Sequence, residues 1–386
     1  MRLLVLQSAG EVADLAQRCA RWAGALGVDV EVAPPAGAEE LARRLRQAGR
    51  AGIAGVVLER GAPADAGDVA DAVTDAAIPV VAVSPTYVAD RSGPVDQACA
   101  RVISGRGRSS FRWALAHLRA RAGSPSRVWA YGDGDDRVGD LRVPAGPSEH
   151  AAPLAVIFHG GFWRDEWQRD LMDAVAVDLT ARGWITWNVE YRRMGPSGGG
   201  WPASLHDAIA AVAAIRDLPA PVEPTKVVLL GHSAGAQLAL CAAARSRRDA
   251  ITPALVVGLA PLSDLAVAAR DDVGWGSVTA LLGDPDRHPQ RYRQASPAAQ
   301  LPLGVTQLLV HGLADRHVPP AMTRAYTRAA QDAGDHVDLV EIADADHFQV
   351  IDPAHTAWAM LIAALERFTS ERDGAPSGGS PAVGQP

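Results

Sequence analysis

Ser233 stands between two glycines in Gly231-His232-Ser233-Ala234-Gly235, directly after the apolar run Val227–Leu230 and ahead of an Ala/Leu-rich helical segment. A serine on a sharp strand-to-helix turn exposes its hydroxyl as a nucleophile, and small neighbours let the backbone make that turn. The five letters alone would also suit an ordinary glycine turn, so their company decides. A hydroxyl needs a base within hydrogen-bond reach, and that base needs a carboxylate to orient it and balance its charge. Both follow in the chain: Asp315 lies just past the apolar run ending at Val310, and His347 just past the run ending at Ile342. A fourth signal, His159-Gly160-Gly161-Phe162-Trp163, follows the apolar run Leu154–Phe158. The chemistry these groups can do together is acyl transfer. The backbone N–H of Ala234, with that of Gly161 or Phe162, is expected to receive the negative charge on the substrate oxygen. Asp264 also follows a strand and is a rival acid; Asp346, beside His347, reads as a turn residue. His159 reads as a structural hydrogen-bonding residue rather than a second base.

Positioning these groups requires strands that end at one edge. From Leu154 onward, strands are expected at 155–158, 184–190, 226–230, 255–259, 306–310 and 337–342. Helices are expected at 165–182, 204–216, 234–245, 320–333 and 354–369. Loops at the carboxyl ends of parallel strands gather where ligands bind, so Ser233, Asp315 and His347 should meet there. The irregular span Pro261–Leu303 suits a lid or pocket wall. Aromatic residues fall in loops near that edge: Phe162, Trp163, Trp201, Trp275 and Phe348. As a group they suggest an aromatic or flat apolar substrate, with Trp163, Trp201 and Phe348 as substrate contacts. Arg192 and Arg193 are candidates for a substrate carboxylate, although surface pairing suits at least one of them.

Before residue 123 a second alternation runs at smaller scale. Strands are expected at 2–6, 28–32, 53–58 and 79–83, and helices at 11–26, 38–48, 68–76 and 109–121. Near-continuous apolar strands between amphipathic helices indicate a parallel sheet covered on both faces. Residues 127–131 and 139–143 read as an antiparallel hairpin opening the second unit. The expected division is therefore 1–122, 123–370 and a disordered Gly/Pro/Ser-rich tail, 371–386.

Composition narrows the function classes. The 386 residues are 48% hydrophobic and 21% charged, with a net charge of −7 and no basic patch, which argues against nucleic acid as a partner. No apolar run approaches the roughly 20 residues that span a bilayer, and the apolar stretch at Met1–Leu6 is too short for a secretory signal. Cys19, Cys99 and Cys241 are too few and too scattered for a disulfide framework or a metal cluster. Neither metal nor cofactor is expected, and the cysteines fit a reducing, cytoplasmic compartment. Lys226 is the only lysine among 37 cationic residues, a coding bias rather than a functional sign.

Residues from about 124 to 370 resemble an α/β-hydrolase of the esterase kind, close to the kynurenine formamidase (arylformamidase) branch. His159-Gly160-Gly161-Phe162-Trp163 is similar to that branch's H-G-G-[YF]-W. Gly231–Leu238 is similar to its G-H-S-A-G-A-H-L, with Gln237 replacing a histidine. The resemblance implies a Ser233–Asp315–His347 triad and a small ester or formamide as substrate. Residues 1 to about 121 resemble type II 3-dehydroquinate dehydratase, a flavodoxin-like fold, through Ile78–Val83, Val102–Gly107 and the helix holding Trp113-Ala114-Leu115. Its chemistry is missing. Ser84 stands where that family has a histidine, Gly61–Ala64 where it has a tyrosine, and Gln7–Glu11 replaces its long Arg/Tyr loop. This unit is therefore expected to be a scaffold, a homo-oligomerisation surface or a small-molecule sensor rather than a lyase.

Overall fold

The computed structural model describes residues 1–7, 12–60, 66–145, 151–195, 198–246 and 252–373. The expectations for most of Gln7–Glu11, for Gly61–Ala64 and for most of the tail fall outside those residues. Among the described residues thirteen strands form two sheets.

The first sheet contains β1 (Arg2–Leu6), β2 (Asp29–Ala33), β3 (Gly55–Glu59), β4 (Val80–Ser84) and β5 (Arg101–Ser104). The order is β2-β1-β3-β4-β5, every pair parallel, which is the flavodoxin-like arrangement. Helices α1 (Val12–Leu26), α2 (Ala38–Ala48), α3 (Ala66–Asp75), α4 (Pro94–Ala98) and α5 (Ser109–Gly123) accompany it. Helix α2 shows why these segments hold their places. Leu41, Leu45 and Ala48 recur at helical spacing and are buried, while Glu40 pairs with Arg43 and Arg44 on the wet face. The short strand β5 was hidden in what reads as a turn-rich loop.

The second sheet runs β13-β12-β11-β10-β8-β9-β7-β6. Its members are β6 (Arg127–Ala130), β7 (Val138–Arg142), β8 (Ala152–Phe158), β9 (Ile185–Val189), β10 (Val222–His232), β11 (Leu255–Leu259), β12 (Thr306–Gly312) and β13 (Val337–Ile342). Only the β6–β7 and β7–β9 pairs are antiparallel. The expected hairpin thus forms and extends the second sheet. Helices α6 (Asp173–Ala181), α7 (Ala203–Ala213), α8 (Ala234–Arg245), α12 (Pro320–Asp332) and α13 (Thr356–Asp373) belong to this half. The chain is a flavodoxin-like parallel-sheet domain followed by a domain with an α/β-hydrolase-like fold.

Two expectations change. Pro261–Leu303 is not irregular, because it folds into α9 (Leu265–Arg270), α10 (Ser277–Leu282) and α11 (Pro289–Ala295). The helix expected over 165–182 begins later: residues 169–172 make a 3-10 turn, α6 follows, and 164–168 stay irregular. The reason is tertiary. Asp165 and Asp170 are drawn into buried ion pairs with Arg193 and Arg106 instead of facing solvent on a helix. Among the described residues no helix is long and apolar enough to cross a membrane.

Candidate active site

Strand β10 delivers Ser233 to the sheet's carboxyl edge. Its backbone sits at φ 55°, ψ −117°, a region non-glycine residues rarely occupy, immediately before α8. The strain is held by the surroundings: Ser233 N–H donates to Leu259 O at 2.8 Å, and its carbonyl accepts from the N–H groups of Ala236 and Gln237. The side chain is fully buried, and its Oγ makes no hydrogen bond among the described residues. An unpartnered buried hydroxyl costs stability.

Past the ends of β12 and β13, Asp315 and His347 meet. His347 Nδ1 lies 2.7 Å from Asp315 Oδ2. A carboxylate only accepts, so the proton of this bond is on Nδ1. The other oxygen, Asp315 Oδ1, accepts from the N–H groups of His317 (2.7 Å) and Val318 (2.9 Å), while His311 Nε2 stands 3.2 Å from Oδ2. Burial alone would raise this carboxyl's pKa, but hydrogen bonds from His311 and His347 outweigh it and hold the value far below the ordinary carboxylate range. His232 Nε2 bonds the carbonyl of His347 at 2.9 Å, so the residue before the serine also tethers the histidine's backbone. Burial, reinforced by His347, keeps His232 neutral.

The His159–Trp163 segment presses against the same spot. A Cβ on Gly160 would lie 2.7 Å from His232 Nδ1 and 3.1 Å from Ser233 Cβ. Gly161, Phe162 and Trp163 all take positive φ (113°, 52° and 56°), which turns the chain around the serine. Ala234 opens α8, so its N–H precedes the helical ladder. His159 stacks on Tyr191 at 4.4 Å and bonds Glu190 at 2.8 Å, a structural setting.

Gly161, Phe162, Trp167, Leu171, His232, Ser233, Trp275, His317, His347 and Phe348 enclose a cavity of about 110 Å³. Phe348 therefore lines it, but the other two expected substrate contacts do not reach it. Trp163 is buried behind the turn, where its indole N–H donates to Gln237 at 3.1 Å. Trp201 is partly buried against the core of this domain. Neither arginine is available for a substrate. Arg192 is clamped on Asp207 through two 2.8 Å bonds, and the buried Arg193 engages Glu190, Asp136 and Asp165. Asp264, the rival acid, caps α9 instead.

Three cavity residues escaped the sequence reading. Trp167 was assigned to a helix that does not form there. His317 lies two positions after Asp315, and that proximity was its only signal. It is half-buried and beside His347, and its pKa is lowered by burial first and by that neighbour second. Leu171 carries no signal outside the fold. Asp315, His317 and His347 also bring one ligand atom each to within 4.8 Å of one another, a grouping a divalent ion can use. Two of the three, however, are hydrogen-bonded to each other.

The BD-FAE family matches residues 140–329. The chain is 26% identical over 235 residues to esterase LipQ of Mycobacterium tuberculosis, covering 55% of this chain and 53% of that one. It is 24% identical over 234 residues to kynurenine formamidase of Danio rerio, covering 58% and 74%. An acetyl ester-xyloside bifunctional hydrolase from Caldicellulosiruptor lactoaceticus superposes with a TM-score of 0.54 at 21% identity, covering 64% of this chain and 97% of that one. The chain thus spans about half the length of the mycobacterial relative.

Proposed function

We propose that this protein is a serine hydrolase that cleaves small carboxylic esters or aryl formamides through an acyl-enzyme on Ser233. The observation that carries the reading is the unpartnered, buried Ser233 Oγ in the same cavity as a His347 whose Nδ1 is held by Asp315. In the first step His347 Nε2 takes the Oγ proton as Oγ bonds to the substrate carbonyl carbon. The oxygen gains negative charge against the N–H groups of Ala234 and of Gly161 or Phe162. His347 then returns the proton to the departing alcohol or amine, leaving the acyl group on Ser233. Water enters, gives a proton to His347, and the same steps free the acid. Asp315 stays ionised throughout and steadies the imidazolium.

The cavity argues for a short acyl group. Its volume of about 110 Å³ is below the range of about 300–1,000 Å³ usual for drug-sized ligands. Its walls are mainly aromatic. Trp275 is 66% exposed beside Phe162 and His317, a platform suited to a flat leaving group outside the pocket. A formyl or acetyl ester of an aromatic alcohol, or an aryl formamide, meets both demands. The names of the mycobacterial and zebrafish relatives, an esterase and a formamidase, agree with this class.

The test pairs labelling with a substrate panel. A fluorophosphonate should modify Ser233, and the same preparation should turn over N-formylkynurenine or p-nitrophenyl acetate much faster than a long-chain ester. Labelling elsewhere, or none, sinks the mechanism. A lyase site in the first domain has less support. Ser84 supplies no base at the end of β4, and the neighbouring carboxyl end of β5 is occupied by the hydrolase segment 165–170.

A further inference from the structure

The flavodoxin-like domain meets the hydrolase domain at the cavity wall, on the side where its own strands end. Arg106, just past β5, is almost fully buried and pairs with Asp170 through 2.6 and 2.9 Å bonds. Its Nε donates to Glu166 O at 2.7 Å, and its guanidinium lies 4.6 Å from the Trp167 ring centroid. One side chain thus grips the segment 166–170 by charge, by backbone and by ring face. Tyr87 and Arg91 bond Asp165 at 3.1 and 3.2 Å. Contact is close enough that a Cβ on Gly105 would fall 2.6 Å from Glu166 Cγ.

An apolar contact runs beside the polar one. Trp113 on α5 packs against the core of its own domain and against the hydrolase core as well. Its ring meets Trp167 edge-on at 6.1 Å and Phe348 at 6.0 Å, and those two rings stack on each other at 5.9 Å. Trp167 and Phe348 face the cavity; Trp113 stands behind them. Trp167 in turn lies where a side chain on Gly161 would have to go, so its position bounds the turn beside Ser233.

We infer that Trp113 and Arg106 of the flavodoxin-like domain are positioning residues for the hydrolase site: they hold Trp167 and Phe348 forward, set the depth of the acyl cavity and brace the Gly161–Trp163 turn. The inference rests on the hydrolase reading only for its effect on substrates; the bracing itself is independent of any reaction.

Trp113→Ala, Trp113→Leu and Trp113→Phe in the full chain test it, with amide hydrogen exchange and acyl-length profiles as readouts. In the alanine variant, or in the leucine variant if alanine does not fold, exchange at residues 161–168 should quicken about tenfold. The kcat/KM ratio of p-nitrophenyl butyrate to acetate should rise about tenfold as the wall retracts, through KM more than kcat. Trp113→Phe, which keeps an aromatic ring in place, should restore both. Unchanged exchange at 161–168 in a folded variant overturns the inference, as does faster exchange confined to α5. A wild-type protein inactive on every ester and formamide, with Ser233 unlabelled, defeats the hydrolase reading while the exchange result still decides the bracing.

Discussion

The two sheets obey the same topological rule and use it differently. In the second domain the ends of β10, β12 and β13 carry Ser233, Asp315 and His347, and the serine and histidine line a cavity. In the flavodoxin-like domain the ends of β4 and β5 carry Ser84, Ser104, Gly105 and Arg106, and the edge is pressed onto its neighbour. Parallel sheets offer polar groups at this edge in either case. What differs is whether those groups are satisfied. Ser233 Oγ has no hydrogen-bond partner among the described residues, whereas each nitrogen of the Arg106 guanidinium has one. A strand-end group left unpaired keeps its hydrogen-bonding capacity, and one fully paired holds two domains together.

Substitutions at the two edges can break or sharpen that contrast. The largest effect is expected from Ser233→Ala, a loss of about 10⁴- to 10⁶-fold in kcat on an activated ester. Ser104→Ala, at the other edge, should stay within about threefold of wild type. A comparable loss from Ser104→Ala would undo the contrast. Next comes Asp315→Asn, expected to lower kcat by about 10³- to 10⁴-fold because the amide can hold His347 in the wrong tautomer; steady-state kinetics on the same ester would show it. Arg106→Met acts on stability, since Asp170 is left buried and unpaired. About 3–5 kcal/mol should be lost in chemical denaturation, and adding Asp170→Leu should recover much of it.

The smallest effect is a pH dependence. Burial alone would raise the pKa values of Glu190 and Asp315. For Glu190 the charges of Arg193 and His159, and for Asp315 the hydrogen bonds of His311 and His347, carry them below the ordinary carboxylate range instead. Their folded values are thus depressed relative to the unfolded chain. The stability they add is complete above about pH 4 and drains away as pH falls through the folded values. His232 and His317, whose folded pKa values are lowered, take up protons in the unfolded chain first, so thermal melts should soften from about pH 6.5 downward and fall further below about 4 as the carboxylates titrate. Melts that stay level from neutral pH down to about 3 would contradict the assignment.

Periodicity and order carry much of this in the chain itself. Leu41, Leu45 and Ala48 repeat with a helix's period, so Ala38–Ala48 is legible to the residue. Apolar runs followed by Gly-x-Ser-x-Gly, Asp315 and His347 place three side chains at strand ends because each signal is local. The losses share one cause. Arg192 and Arg193 read in sequence as candidates for a substrate carboxylate or, for at least one, a surface pair; the structure pairs both, with Asp207, Glu190, Asp136 and Asp165. Trp163 looks like a pocket residue until a positive φ turns it inward to Gln237.

By itself, then, the sequence determined two alternating α/β patterns and the order serine, acid, histidine, since propensity, apolar period and glycine turns act over a few residues. Only the tertiary structure decided that Trp167 and His317 face the cavity, that 164–168 refuses the helix its spacing suggests, and that Trp113 stands behind the wall. Those outcomes depend on charges and rings from about 30 to about 240 positions apart in the chain, such as Asp165 with Arg193, Arg106 with Asp170 and Trp113 with Phe348. A buried ion pair or a ring stack forms only when folding brings its partners together, and no local spacing announces it.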